Sequence, residues 1–127
     1  MAVPQYPYMF QKPLSCLQEK SDTFYIPKAI GDEDVNFEVE LGVLISSPIL
    51  PRSTINAQNF LSFIGGYFLL LDYTDKRILV RDATNGGPFT LSKCQDNFLV
   101  LSDFISKERI PDPHKVELIL KIDDEEK

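Results

Sequence analysis

Glu38 and Glu40 stand two residues apart in Asn36-Phe37-Glu38-Val39-Glu40-Leu41-Gly42, an otherwise apolar, strand-prone run. On a strand successive side chains alternate faces, so both carboxylates share one side and Phe37, Val39 and Leu41 share the other. Same-face neighbours are about 6.6–6.8 Å apart in rise, a gap two glutamate side chains can close on one ion. Like charges on a half-buried face repel, and each raises the other's cost of ionisation. Water, basic partners or a hard cation that prefers oxygen ligands would each offset that cost. A third carboxylate, Asp72, ends the apolar run Tyr67-Phe68-Leu69-Leu70-Leu71-Asp72. If the two runs pair, three carboxylates suit Mg2+, Mn2+ or Ca2+ and not zinc. From spacing alone the commoner reading is that Glu38 and Glu40 form the wet face of an amphipathic strand.

Lys93 follows Gly86-Gly87-Pro88 and the stretch Phe89-Thr90-Leu91-Ser92. Beside a cation site it could hold a carboxylate or a developing enolate by its charge, although a surface lysine is the usual case. His114 and Glu117 have the H-x-x-E spacing of a general-base pair. Positions three apart on a strand face opposite sides, however, and His114 follows a proline-rich turn. Cys16 and Cys94 have no histidine near them in sequence, no serine sits in a glycine elbow, and no glycine loop has a phosphate-cradling context. No catalytic residue is assigned from spacing.

The 127 residues fit one domain, 1–127. Thirteen basic against nineteen acidic residues give a charge of −6 and no basic stripe, which argues against nucleic acid as a partner. One histidine excludes a zinc centre built on several, and two cysteines without ligand spacing fit a reducing compartment. No apolar run reaches a membrane span, so no membrane partner is expected. The first ten residues lack a signal or transit pattern. The expected location is the cytoplasm, or the mitochondrion if an N-terminal extension is missing.

These residues need strands to position them. Residues 36–45 and 67–72 read as strands, residues 116–122 alternate clearly as another, and 97–105 alternate weakly. Thr23-Phe24-Tyr25-Ile26 is a short strand-prone run. Residues 15–22, the acidic stretch at 31–34 and the charged stretch from 75 read as loops. Ser53-Thr54 followed by Ala57, Phe60, Leu61 and Ile64 predicts a short capped helix that ends at Gly65-Gly66. Residues 89–93 read as extended, and the acidic tail 123–127 as disordered. The fold class is α+β and β-rich.

Five segments in order are similar to motifs of the fumarylacetoacetate hydrolase superfamily, most closely its acylpyruvase-type members. Phe10-Gln11-Lys12-Pro13 resembles F-x-K-P, and Phe37-Glu38-Val39-Glu40-Leu41-Gly42-Val43 resembles the E-x-E-L-[AG]-V metal strand. Gly65-Gly66-Tyr67 through Asp72-Tyr73-Thr74 resembles G-G-Y-x-L-x-x-D-x-T. Gly87-Pro88-Phe89-Thr90-Leu91-Ser92-Lys93 resembles G-x-P-[WF]-x-x-[AS]-K, and Ile110-Pro111-Asp112-Pro113-His114-Lys115 also looks familial.

The resemblance implies part of that family's mixed β-sandwich roll. It implies Glu38, Glu40 and Asp72 as ligands of a divalent cation, commonly Mg2+, with Mn2+ or Ca2+ as alternatives, and Lys93 as a substrate-binding residue. The implied substrate is a small keto acid, an acylpyruvate or oxaloacetate. The implied chemistry is C–C cleavage, decarboxylation or tautomerisation through a metal-stabilised enolate. A homodimer is the implied assembly. Relative to the family the chain looks truncated at both ends. The family's catalytic H-x-x-E pair precedes F-x-K-P, and its T-G-T-P substrate loop follows the last segment matched here. Thr74-Asp75-Lys76-Arg77-Ile78-Leu79 replaces T-A-R-D-x-Q, which puts Leu79 where the family has a substrate-contacting glutamine. The alternative function is an inactive remnant that keeps the metal site or serves only as a binding or dimerising module.

Overall fold

The structure, a computed structural model, describes residues 5–7, 9–19, 23–28, 30, 34–81 and 89–126. Short strand β1 (Leu17–Glu19) precedes two long strands, β2 (Val35–Ile45) and β3 (Ile64–Asp75). Two short helices follow, α1 (Lys76–Arg81) and α2 (Phe89–Lys93), then strands β4 (Leu99–Leu101) and β5 (Ile105–Ser106). A small hairpin, β6 (Lys121–Ile122) and β7 (Glu125–Glu126), closes the described chain. The main sheet has the order β1-β4-β3-β2, with β5 also paired to β3. All its pairings are antiparallel except β1 with β4, so the sheet is mixed.

β2 alternates polar and apolar side chains and β3 carries a continuous apolar run over residues 67–71, with Val, Ile, Thr, Phe and Tyr recurring along both. Their register sets Phe37 opposite Tyr73, Val39 opposite Leu71 and Leu41 opposite Leu69 on one face. Asn36 opposite Thr74, Glu38 opposite Asp72 and Glu40 opposite Leu70 take the other face. On the apolar face Tyr73 stacks on Phe24 at 4.0 Å, and Phe98 joins them at 5.6 and 6.0 Å. Tyr67, Phe98, Cys16, Ile30 and Ile64 are buried. Gly66 is required by packing: a Cβ there would lie 2.4 Å from the Phe104 ring and 2.7 Å from the Ile105 carbonyl oxygen. That is how β5 comes alongside β3.

Several sequence-based expectations need correction. No helix forms at 53–64. Asn56 N–H donates to Asn59 Oδ1, Gln58 N–H donates to Asn56 Oδ1, and Asn59 Nδ2 donates to the Thr54 carbonyl, each at 2.9 Å. Such local side-chain bonds compete with helical ones, and only the 3-10 turn Phe60–Phe63 remains. Gly65 and Gly66 consequently lie inside β3. Residues 89–93 are helical rather than extended, with Ser92 Oγ donating to the Phe89 carbonyl at 2.8 Å. The charged stretch after 75 opens with α1. Residues 17–19 are a strand through parallel pairing with β4, whereas Phe24 contributes a ring contact and no ladder. Residues 116–120 have no ladder partner among the described residues, and pairing begins only at β6. The described part of the acidic tail, through 126, carries the second strand of the β6–β7 hairpin. Asp123 and Asp124 take φ of 51° and 65°, the left-handed pair that closes a tight two-residue hairpin. The expectations for 20–22, 31–33, 86–88 and Lys127 fall outside the described residues.

Candidate metal centre

The antiparallel register converts sequence spacing into a cluster. Glu38 and Asp72 are direct cross-strand partners, and Glu40 lies one same-face step along β2. One carboxylate oxygen from each of Glu38, Glu40 and Asp72 lies within 4.8 Å of the other two. Asp72 is 2% exposed, and both glutamates are half-buried. Burial first, then the charges of Asp72 and Glu38, hold the Glu40 carboxyl above the usual carboxylate range.

Two ammonium groups offset this crowding. Lys93 Nζ donates to Asp72 Oδ2 at 2.7 Å, Thr74 Oγ1 at 2.8 Å and Glu38 Oε2 at 3.0 Å. It sits 4.9 Å from the centroid of the Phe10 ring, within cation–π range. Burial alone would lower the pKa of Lys93. The hydrogen bonds and charges of Asp72 and Glu38 overcome that, and the net shift is upward. Lys12 Nζ pairs with Asp72 Oδ1 and also donates to the Tyr73 carbonyl at 3.2 Å. Two ammonium groups against three carboxylates leave one excess negative charge.

The local sequence explains how the lysines arrive. Pro13 ends the extended arm that carries Phe10 and Lys12, and the turn Leu14–Cys16 ties the arm to β1. Helix α2 turns Lys93 inward, where it is 3% exposed. Phe10 stacks on Phe89 with an interplanar angle of 11°, so the arm and α2 are in contact. Asp75 ends β3 and starts α1: its Oδ1 accepts from Arg77 N–H at 2.9 Å, a helix N-cap, and its Oδ2 pairs with Arg77 Nη2 at 3.0 Å. Burial would raise the Asp75 pKa, but the Arg77 bonds outweigh it and hold the carboxyl below its usual range.

All four residues singled out in the sequence, Glu38, Glu40, Asp72 and Lys93, meet here. Lys12 was overlooked as a site residue, although its place in Phe10-Gln11-Lys12-Pro13 was the available signal. His114 and Glu117 are exposed. His114 lies edge-on to Phe60 at 6.0 Å and takes no part in the cluster. The three-carboxylate donor set is all hard oxygen, which fits Mg2+, Mn2+ or Ca2+.

The family model described as fumarylacetoacetate (FAA) hydrolase C-terminal matches residues 1–127. An Arabidopsis thaliana protein named as a mitochondrial oxaloacetate tautomerase is 38% identical over 124 residues, which is 98% of this chain and 53% of the relative. The chain thus spans about half the length of the curated relatives it matches. The crystal structure of a fumarylacetoacetate hydrolase family protein from Yersinia pestis CO92 superposes with a TM-score of 0.84. It shares 29% identity and covers 98% of this chain and 55% of its own. A fumarylpyruvate hydrolase from Pseudomonas aeruginosa, solved in complex with Mn2+ and pyruvate, shares the fold with a TM-score of 0.76 at 21% identity, over 92% of this chain and 50% of that one. With its whole length matched by the family model and its sheet superposing on family structures, the chain belongs to the fumarylacetoacetate hydrolase family.

Proposed function

We propose that this chain binds a divalent cation through Glu38, Glu40 and Asp72 and uses the site on small enolisable keto acids, with oxaloacetate tautomerisation as the leading activity. The observation that carries the reading is the convergence of three carboxylate oxygens within 4.8 Å on adjacent strands. The names of the relatives supply the substrate class. A bound Mg2+ or Mn2+ would supply Lewis-acid polarisation of a keto oxygen. Lys93 holds Asp72 and Glu38 in register, and its buried positive charge suits an incoming carboxylate. Lys12 does the same from the opposite side of Asp72. The Phe10 ring lies over the ammonium of Lys93, and Phe89 stacks on Phe10.

No histidine lies in the cluster among the described residues, and His114, the chain's one histidine, is remote from it. The second reading is a chain that holds the cation without turning over substrate. The separating experiment follows enol-oxaloacetate loss by ultraviolet absorbance with Mn2+ present. Turnover above free Mn2+, lost in a Glu38→Ala, Glu40→Ala double variant, supports the enzyme. Cation binding without turnover supports the second reading.

A second copy of this chain is the proposed partner. β2 stands at the end of the sheet order, and Val43, Leu44, Ile45 and Leu69 are exposed near it, which favours edge or face association. Sedimentation of a monomer across the micromolar range contradicts this. The mitochondrial names of the relatives make that compartment the proposed location, which fractionation of the native cell tests.

A further inference from the structure

The two cysteines, 78 residues apart in the chain, meet beside the lysine clamp. The thiol of Cys16 donates to the carbonyl of Lys93 at 3.9 Å, and the thiol of Cys94 donates to the carbonyl of Gln11 at 3.0 Å. Each sulfur therefore reaches the backbone of the segment that carries the other. The segments are held together independently: Asn97 N–H donates to the Ser15 carbonyl at 3.1 Å, and β1 pairs with β4 from Leu17 and Leu99 onward. Both cysteines are free. Cys16 is fully buried and Cys94 is partly exposed, so an external reagent enters at Cys94.

We propose that Cys16 and Cys94 form a reversible intramolecular disulfide that ties the arm bearing Lys12 to the segment bearing Lys93. The oxidant class is a small-molecule disulfide such as oxidised glutathione. The Cys94 thiolate attacks one glutathione sulfur, breaks its S–S bond and releases one glutathione thiolate. The Cys16 thiolate then attacks Cys94 Sγ in the mixed disulfide and releases the second glutathione. The two protein thiol protons end on the two released glutathiones, so the protein is oxidised by two electrons and the reagent is reduced by two. Burial, with the neighbouring Cys94 thiol adding to it, holds the Cys16 thiol above its ordinary pKa, which makes Cys16 the resolving and slower partner. The bond would brace the cluster from behind, because Lys93 directly precedes Cys94 and the arm bearing Lys12 leads into the turn that holds Cys16. The proposal stands on the thiol geometry and does not depend on a bound cation.

The test incubates the reduced 127-residue chain with excess oxidised glutathione and follows intact mass, thiol titre and melting temperature. The expected product has lost about 2 Da and both titratable thiols, carries no glutathione, and yields a peptide linking Cys16 to Cys94 on digestion. Closing so long a loop raises the melting temperature by several degrees. A stable glutathione adduct on Cys94 with Cys16 still reduced overturns the proposal, as does a chain that keeps both thiols. A lowered melting temperature of the oxidised chain overturns the bracing role. In Cys94→Ser, Cys16 is expected to resist alkylation while folded, and rapid alkylation contradicts the assignment of Cys94 as the entry thiol.

Discussion

Glu38 and Asp72 are register partners across the β2–β3 ladder, and the ammonium of Lys93 bridges them at 3.0 and 2.7 Å. Like charges directly opposite one another destabilise a sheet, so the pair persists because a third element brings a cation to it. Replacing Lys93 by Met leaves buried Asp72 and half-buried Glu38 underpaired. The expected cost to the metal-free chain is about 3–5 kcal/mol, the range for breaking a buried ion pair. Urea denaturation with and without Mn2+ checks this: the loss should shrink when Mn2+ is present. A metal-free loss below 1 kcal/mol would contradict the bridging role.

Lys12 occupies Asp72 Oδ1 and competes with any ion for that oxygen. Lys12→Met is therefore expected to lower the melting temperature of the metal-free chain while tightening Mn2+ binding, since a like charge leaves the site. Scanning calorimetry of the metal-free variant and parent reads the first arm, and calorimetric titration with Mn2+ reads the second. Weaker binding in the variant would show that Lys12 positions Asp72 for the ion and does not oppose it.

Glu40 offers a pH signature. Burial and two neighbouring carboxylates raise its pKa in the folded state. Stability from a group with a raised folded pKa is fully present below the unfolded value and is lost as pH rises through the folded one. At neutral pH, metal-free Glu40→Gln should melt above the parent, and the difference should vanish as the medium becomes more acidic than about pH 4, near the unperturbed carboxylate value. Thermal melts across that range decide it. A variant less stable than the parent at neutral pH sinks the argument.

Asp75 runs the other way. Its pKa is held low, so its contribution is present above the ordinary aspartate value and disappears as pH falls through the folded one. Asp75→Ala removes the α1 cap, at an expected cost of about 0.5–2 kcal/mol at neutral pH. The variant should show a flatter acid limb than the parent. An unchanged acid limb would mean that the Arg77 contact contributes nothing.

The two long strands were legible because residues 36–45 alternate and residues 67–71 form a continuous apolar run, and Glu38, Glu40 and Asp72 came with them, while Lys93 was marked by the Gly-Gly-Pro segment before it. What the sequence concealed was set by partners far along the chain. Lys12 gains its role only when the arm meets Asp72, sixty positions away. β1 becomes a strand only by pairing with β4, and the two cysteines look unrelated until those strands align. The helix expected at 53–64 failed locally, to asparagine side chains that bond the backbone more readily than a helix allows.

The central claim is that Glu38, Glu40 and Asp72 form a cation site. The direct measurement is the melting temperature of the 127-residue chain titrated with Mn2+, beside the Glu38→Ala, Glu40→Ala variant. A ligand that binds only the folded state, present at a hundred times its Kd, stabilises by about 2.7 kcal/mol. The account predicts a saturable rise in the parent and none in the variant. A flat parent titration, or an equal rise in both proteins, would contradict it.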